Sequence, residues 1–252
     1  MKAYGSDLGQ FVWLVNRLLG CLRRPFTGKP YMGWQFWRHF AWVGADSLPI
    51  VSVIAACTGI ILALQAAQQL EKVGALSYVA NLVGVSIVAA LGPLLTALIL
   101  TGRAGAAFTA EIATMKISEE IDALEVMGLD SVRYLVWPKC VAMVLMTPML
   151  TIWADFIGLL AGGVFSVSVL GLSASGYYEQ TASFVSLRLF FTGLVKSLAF
   201  GVAITLVGCW QGFLAREGAQ DVGSRTTKSV VQSIFLIVVL DLFFTALNFI
   251  AR

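Results

Sequence analysis

Five runs of this chain, residues 48–70, 82–101, 140–172, 189–214 and 229–251, carry only three charged side chains among them: Asp155, Lys196 and Asp241. About 20 apolar residues in a helix cross a hydrocarbon core of roughly 30 Å. The chain is therefore expected to be an all-α integral membrane protein. Composition agrees, with 58% hydrophobic and only 12% charged residues in 252, where a soluble domain carries about a quarter charged.

The third run is ambiguous. At about 1.5 Å per residue it is longer than one perpendicular crossing. It forms either one tilted span bent at Pro148 or a tight hairpin. Basic residues decide. With five spans and the N-terminus inside, the cytoplasmic side holds Lys2, Arg17, Arg23, Arg24, Lys29, Arg38, Arg103, Lys116, Arg133, Arg216, Arg225 and Lys228, against Lys72, Arg188 and Arg252 opposite. Cytoplasmic loops collect Lys and Arg, and a hairpin would spoil that asymmetry. Five spans are expected, with the segments EKVGALSYVAN and SASGYYEQTASFVS on the far side.

Ahead of the spans, Phe11, Leu14, Val15, Leu18, Leu19 and Leu22 fall at helical spacing, with Arg17, Arg23 and Arg24 on or beyond the polar side. That pattern predicts an interfacial amphipathic helix. Asp7, Asn16 and Arg17 argue against a signal peptide ending at LLGC. The piece YMGWQFWRHFAWVG, with three Trp, Arg38 and His39, predicts an elbow at the headgroup level. The expected division is 1–46 for these N-terminal helices and 47–252 for the five-span unit.

Several functions are excluded. No G-x-x-x-x-G-K-[ST] phosphate loop occurs, and the sole histidine, His39, has no neighbouring nucleophile or carboxylate in sequence. The four cysteines are isolated, without metal-ligand spacing. A net charge of +3 without a basic cluster does not point to nucleic acid. The expected chemistry is movement, with no catalytic residue, metal or cofactor in this chain.

Between the second and third runs lies GRAGAAFTAEIATMKISEEIDALEVMG, residues 102–128. Ser118 reads as an N-cap, Glu119 and Glu120 suit a first turn, and Gly128 suits a C′ stop. The predicted helix of about nine residues is too short to be stable alone. Ile117, Ile121 and Leu124 form an apolar stripe; Glu120, Asp122 and Glu125 form an acidic face. Such a helix packs either back on its own protein or on a partner. Its acidity disfavours anionic headgroups and favours a soluble protein.

The stretch ALGPLLTALILTGRAGAAFTAEIATMKISEEIDALEVMG, with DFIGLLAGG and the closing LDLFFTALNFI, resembles the MlaE-type permease family, the membrane subunits of lipid-transporting ABC systems that work with MCE-domain proteins. The resemblance runs from about residue 50 to the C-terminus. It implies a homodimeric permease subunit in the bacterial inner membrane, N-terminus cytoplasmic, that moves phospholipid or a related lipid between that membrane and a periplasmic MCE ring. A separate ABC ATPase with its own ATP-Mg would drive it, with room for a small cytoplasmic accessory subunit.

By the matched motif, a cytoplasmic coupling region at 103–130 includes Arg103, Glu111, Met115, Lys116, Glu119, Glu120, Asp122, Ala123, Leu124, Met127 and Gly128. Gln65 and Lys196 match polar positions of the family's lipid cavity, and Gln65, Gln68 and Gln69 end the first span on the far side, where they either line a polar mouth to that cavity or mark the interface. The chain departs from the pattern at Ala89 and Ala90, where many relatives carry an Arg-Glu pair.

A lysine within a span costs roughly 2.5–3.5 kcal/mol to insert, so Lys196 is expected to face a cavity, to pair with Asp155 or Asp241, or to snorkel from near the span's outer end. The alternative function is a proton-coupled secondary transporter of an amphiphile, using Lys196, Asp155 and Asp241; it predicts inverted repeats, which the sequence does not display.

Overall fold

The computed structural model describes residues 7–23, 31–72, 74–216 and 218–250, and the elements among them are all helical. Lys2, Arg24, Lys29 and Arg252, and the side chains of Leu19, Leu22 and Trp34, lie outside the described residues.

Five helical stretches are long and apolar enough to cross a membrane: Trp37–Glu71, Val79–Ile117, Val132–Leu170, Leu187–Phe213 and Gly218–Ile250. The chain is a multi-pass membrane protein. Helix α1 (Asp7–Arg23) precedes them. Helix α2 (Tyr31–Gly44) runs through a 3₁₀ turn at Ala45–Ser47 into α3 (Leu48–Glu71), so the aromatic piece continues the first span.

The second span is built from α4 (Val79–Ser86), α5 (Gly92–Leu100) and α6 (Ala106–Ile117), joined by wide π turns at Ile87–Leu91 and Thr101–Gly105. After the short helix α7 (Glu120–Val126) and a third π turn at Val132–Val136, α8 (Trp137–Leu170) is one helix with Pro148 inside it, not a hairpin. Helix α9 (Ala174–Phe184) packs against α4 and α8, and α10 (Leu187–Phe213) and α11 (Gly218–Ile250) complete the chain.

Small residues set the seams. A Cβ on Gly59 of α3 would run into the Gly158 carbonyl of α8, and one on Gly162 would meet the Gly59 carbonyl at 3.1 Å. The G-x-x-x-G of GLLAG therefore joins α8 to α3 within one chain, where missing side chains let two backbones touch. On the other side of α8, Gly201 of α10 faces Met143, Val144 and Thr147.

Helix α11 is tied down near its start. Thr109 Oγ1 lies 2.8 Å from Ser229 Oγ and 3.0 Å from the Gly208 carbonyl, and Gln211 Nε2 donates to Gln232 Oε1 at 2.6 Å. Its later residues, including Phe235, Leu242, Phe243 and Leu247, are exposed on this single chain.

Candidate functional site

The island at 102–128 is mostly helix, and its break falls elsewhere than the sequence pattern predicts. Ser118 is not an N-cap: its N–H and its Oγ both donate to the Thr114 carbonyl, at 2.9 and 3.0 Å, so it ends α6. A serine next to an unfinished helix can bond the carbonyl four residues back as readily as it caps the next one. The reversal is made at Glu119, held at φ 61°, and α7 keeps seven residues, Glu120–Val126, in place of about nine. The stop is as expected. Gly128, at φ 76°, lets its N–H reach the Glu125 carbonyl at 3.0 Å while the Leu129 N–H reaches Leu124 at 3.0 Å, a paired closure that needs a left-handed residue.

The two faces of α7 differ. Ile121 is fully buried with Leu14 and Leu18 of α1, Ile112 of α6, Val132 and Phe213, and Leu124 packs on that cluster. The apolar stripe thus folds back on its own chain, joining α1 to the bases of the second, third and fourth spans. The outer face exposes Glu119, Glu120, Asp122, Ala123, Glu125, Val126, Met127 and Gly128. Lys116 pairs with Asp122 at 2.7 Å, Glu125 accepts from Ser131 at 3.1 Å, and Glu120 Oε1 lies 3.1 Å from the Ser118 hydroxyl. Glu119 has no side-chain partner among the described residues.

Three other residues of the predicted coupling set sit further back. Met115 packs on the cluster beneath α7. Arg103 holds the α2–α3 junction: its guanidinium donates to the Trp42 carbonyl at 3.0 Å, to Ser47 Oγ and to Asp46 at 3.2 Å, and lies over the Trp42 ring. Glu111 accepts from Lys139 at 2.8 Å.

Lys196 is 2% exposed and has three acceptors: Asp241 Oδ1 at 2.8 Å, Thr245 Oγ1 at 2.9 Å and the Ala89 carbonyl at 3.2 Å. The carbonyl is available for a reason in the sequence. Pro93 has no N–H for the carbonyls one turn back, so Ala89 is left to the ammonium. Of the two carboxylates offered by the sequence, Asp241 is the partner. Asp155 instead packs against Gly92. Gln65, Gln68 and Gln69 are exposed along the end of α3, and none is among the Lys196 contacts.

A second buried lysine was missed by the sequence reading. Lys139, 1% exposed, donates to Glu111 and lies 5.6 Å from the centre of the Phe108 ring. It borders a cavity of about 410 Å³ shared with Arg38, His39 and Trp42 of α2. The available signal was a lysine directly after Pro138 at the head of a span. His39, read as an aromatic-zone residue, stacks edge-on against Phe108 in the same place.

Comparison with known proteins identifies the chain's relatives. The family model described as Permease MlaE matches residues 36–247. A probable ABC transporter permease protein of Rickettsia typhi is 35% identical over 212 residues, covering 84% of this chain and 82% of the relative. One of Synechocystis is 36% identical over 207 residues, 82% and 79% of the two chains. The intermembrane phospholipid transport system permease protein MlaE of Haemophilus influenzae is 30% identical over 257 residues, 99% and 97% of the two. With a family match that covers four of the five candidate spans and all but the last three residues of the fifth, and relatives aligned along most of their length, this chain belongs to the MlaE permease family.

Proposed function

We propose that this chain is the membrane subunit of an ABC transporter that moves phospholipid, powered by a separate ATPase that seats α7. The observation that carries the reading is the division of α7 into a face locked into the base of three spans and a face that offers carboxylates beside an exposed Val126 and Met127. A push on such a helix reaches the spans directly, because Ile121 packs on residues of α6, α10 and the start of the third span. The names of the relatives, ABC transporter permease and phospholipid transport permease, support the same assignment.

In this reading the α7 end is cytoplasmic, the membrane is the bacterial inner membrane, and an MCE-domain protein receives or delivers lipid on the α9 side. A second copy covers the exposed face of the spans, and a small accessory subunit has room beside the ATPase. Lys196 meets the lipid phosphate, which has to compete with Asp241. Glu119, the acid without a side-chain partner, and Glu120 make the outermost ATPase contacts.

Co-expression with the cognate ATPase and MCE protein, followed by ATPase turnover in lipid nanodiscs, tests the proposal. Co-purification and a lipid-dependent change in turnover are expected, with Glu119→Lys/Glu120→Lys weakening association at least tenfold. An intact complex in that double variant removes α7 as the seat. Lipid movement that follows an imposed proton gradient without ATP favours the secondary-transporter alternative.

A further inference from the structure

The cavity beside Lys139 has a composition that α7 and Lys196 do not explain. Two basic side chains, Arg38 and Lys139, face one carboxylate, Glu111, so bases outnumber acids in the site. The ammonium of Lys139 has three N–H donors and one acceptor among the described residues, Glu111 Oε1. A buried cation with unused donors calls for another acceptor in the adjoining space. Glu111 is itself 47% exposed and can swing away. The walls are aromatic as well as charged, with Trp42 and Phe108 lining the same space.

Depth narrows the ligand. Counted from the opposite helix ends, Arg38 to Glu71, Val79 to Glu111 and Lys139 to Leu170 each measure about 45–50 Å at 1.5 Å per residue. The hydrocarbon core is roughly 30 Å and the bilayer with headgroups roughly 40–45 Å. Three helices therefore place the cavity at a headgroup layer. Basic pockets between spans on the cytoplasmic side suit anionic lipid headgroups, and an ion-paired lysine offers a point charge to a phosphate oxygen.

We infer that this cavity is a second lipid site, separate from Lys196, that takes the phosphate of a phospholipid of the cytoplasmic leaflet. Glu111 occupies the Lys139 ammonium when the site is empty and gives way when a phosphate arrives, while Arg38 meets the headgroup at the exposed mouth. Trp42 and Phe108 contact the glycerol and upper acyl carbons. The leaflet rests on the topology proposed above; the phosphate chemistry does not.

Native mass spectrometry of the full chain in mild detergent, titrated with dioleoylphosphatidylglycerol, tests this. Retention of the lipid is expected to fall at least tenfold in Lys139→Met and in Arg38→Gln, and to rise severalfold in Glu111→Gln. Arg38 is exposed and has no hydrogen bond or ion pair among the described residues, so Arg38→Gln tests the site even where Lys139→Met fails to fold. Lys196→Met removes at most the lipid bound at Lys196 and is expected to leave the part of the retention that depends on Arg38 and Lys139 in place. Loss only in Lys196→Met, or none in Arg38→Gln and Lys139→Met, overturns the site. Equal retention of dioleoylglycerol, which lacks phosphate, overturns the phosphate assignment. Displacement of the lipid by millimolar inorganic phosphate overturns the lipid source in favour of free phosphate. If the chain holds the lipid as expected yet recruits no ATPase, the functional proposal fails and this one stands.

Discussion

Lys139 and Lys196 are both buried and both stand 2.8 Å from a carboxylate, yet their surroundings differ in kind. Lys196 has an acceptor for each of its three donors: a carboxylate, a hydroxyl and a carbonyl released by Pro93. Lys139 has one acceptor among the described residues, an aromatic ring and an adjoining cavity. Near the middle of the membrane a cation without full compensation is expensive, so the first arrangement is fully compensated and a phosphate reaches Lys196 only by displacing Asp241. At a headgroup layer water and phosphate are at hand, so the second can stay open on one side. The difference teaches that burial of a lysine does not by itself mark a ligand site. What matters is how many of its donors the protein has already satisfied.

The largest expected effect comes from breaking the compensated site. Asp241→Leu leaves the Lys196 ammonium without its counter-ion, and removing one partner of a buried pair costs about 3–5 kcal/mol. Because Asp241 itself is 20% exposed, the lower end of that range is expected. Unfolding in detergent at rising temperature measures it. The double variant Lys196→Met/Asp241→Leu should recover most of the loss; a double variant no more stable than Asp241→Leu would show that the pair is not what holds α10 to α11. At the open site, Glu111→Gln keeps an acceptor for Lys139 and is expected to cost about 1 kcal/mol. Equal destabilisation by Glu111→Gln and Asp241→Leu would erase the distinction between the two lysines.

Much of this architecture is legible in the residues. Runs with at most one charge each pointed to five spans, and the basic residues to one helix through Pro148 where length alone allowed two. Gly128 marked a stop because only a left-handed residue closes both terminal bonds there. Ser118 misled because a serine between two helices can serve either, and the choice depends on where α6 runs out of packing. The aromatic piece was read as an element apart from the first span, since nothing local shows that Arg103, some sixty residues later, would fasten its junction. Lys196 was found by its isolation within an apolar run. Its choice of Asp241 over Asp155 depends on which faces of α8, α10 and α11 meet. Gly201 seats α10 on α8 and the Thr109–Ser229 and Gln211–Gln232 hydrogen bonds seat α11, and these contacts between distant residues leave no local signature. Lys139 escaped because its carboxylate partner lies on another span and its cavity exists only once α2 folds over α6.

The smallest expected effect sets the floor of the scale. Arg17 of α1 pairs with Asp130 at 2.7 Å, a distance as short as either buried pair, but the two side chains are 47% and 36% exposed. Exposed pairs contribute about 0–1 kcal/mol. Arg17→Gln should therefore shift stability by only a few tenths of a kcal/mol, because α1 is held by Leu14 and Leu18 in the cluster under α7. Asp130→Ala should cost more, about 1 kcal/mol, since its other oxygen accepts the Val132 N–H at 3.1 Å at the start of the third span. The order of these two variants separates the charge from the cap. If Arg17→Gln costs as much as Asp130→Ala, the ion pair is fastening α1, and short distance alone would rank the cations of this molecule. If it costs almost nothing, solvent exposure and unfilled donors rank them instead, with Arg17 below Lys139 and Lys139 below Lys196.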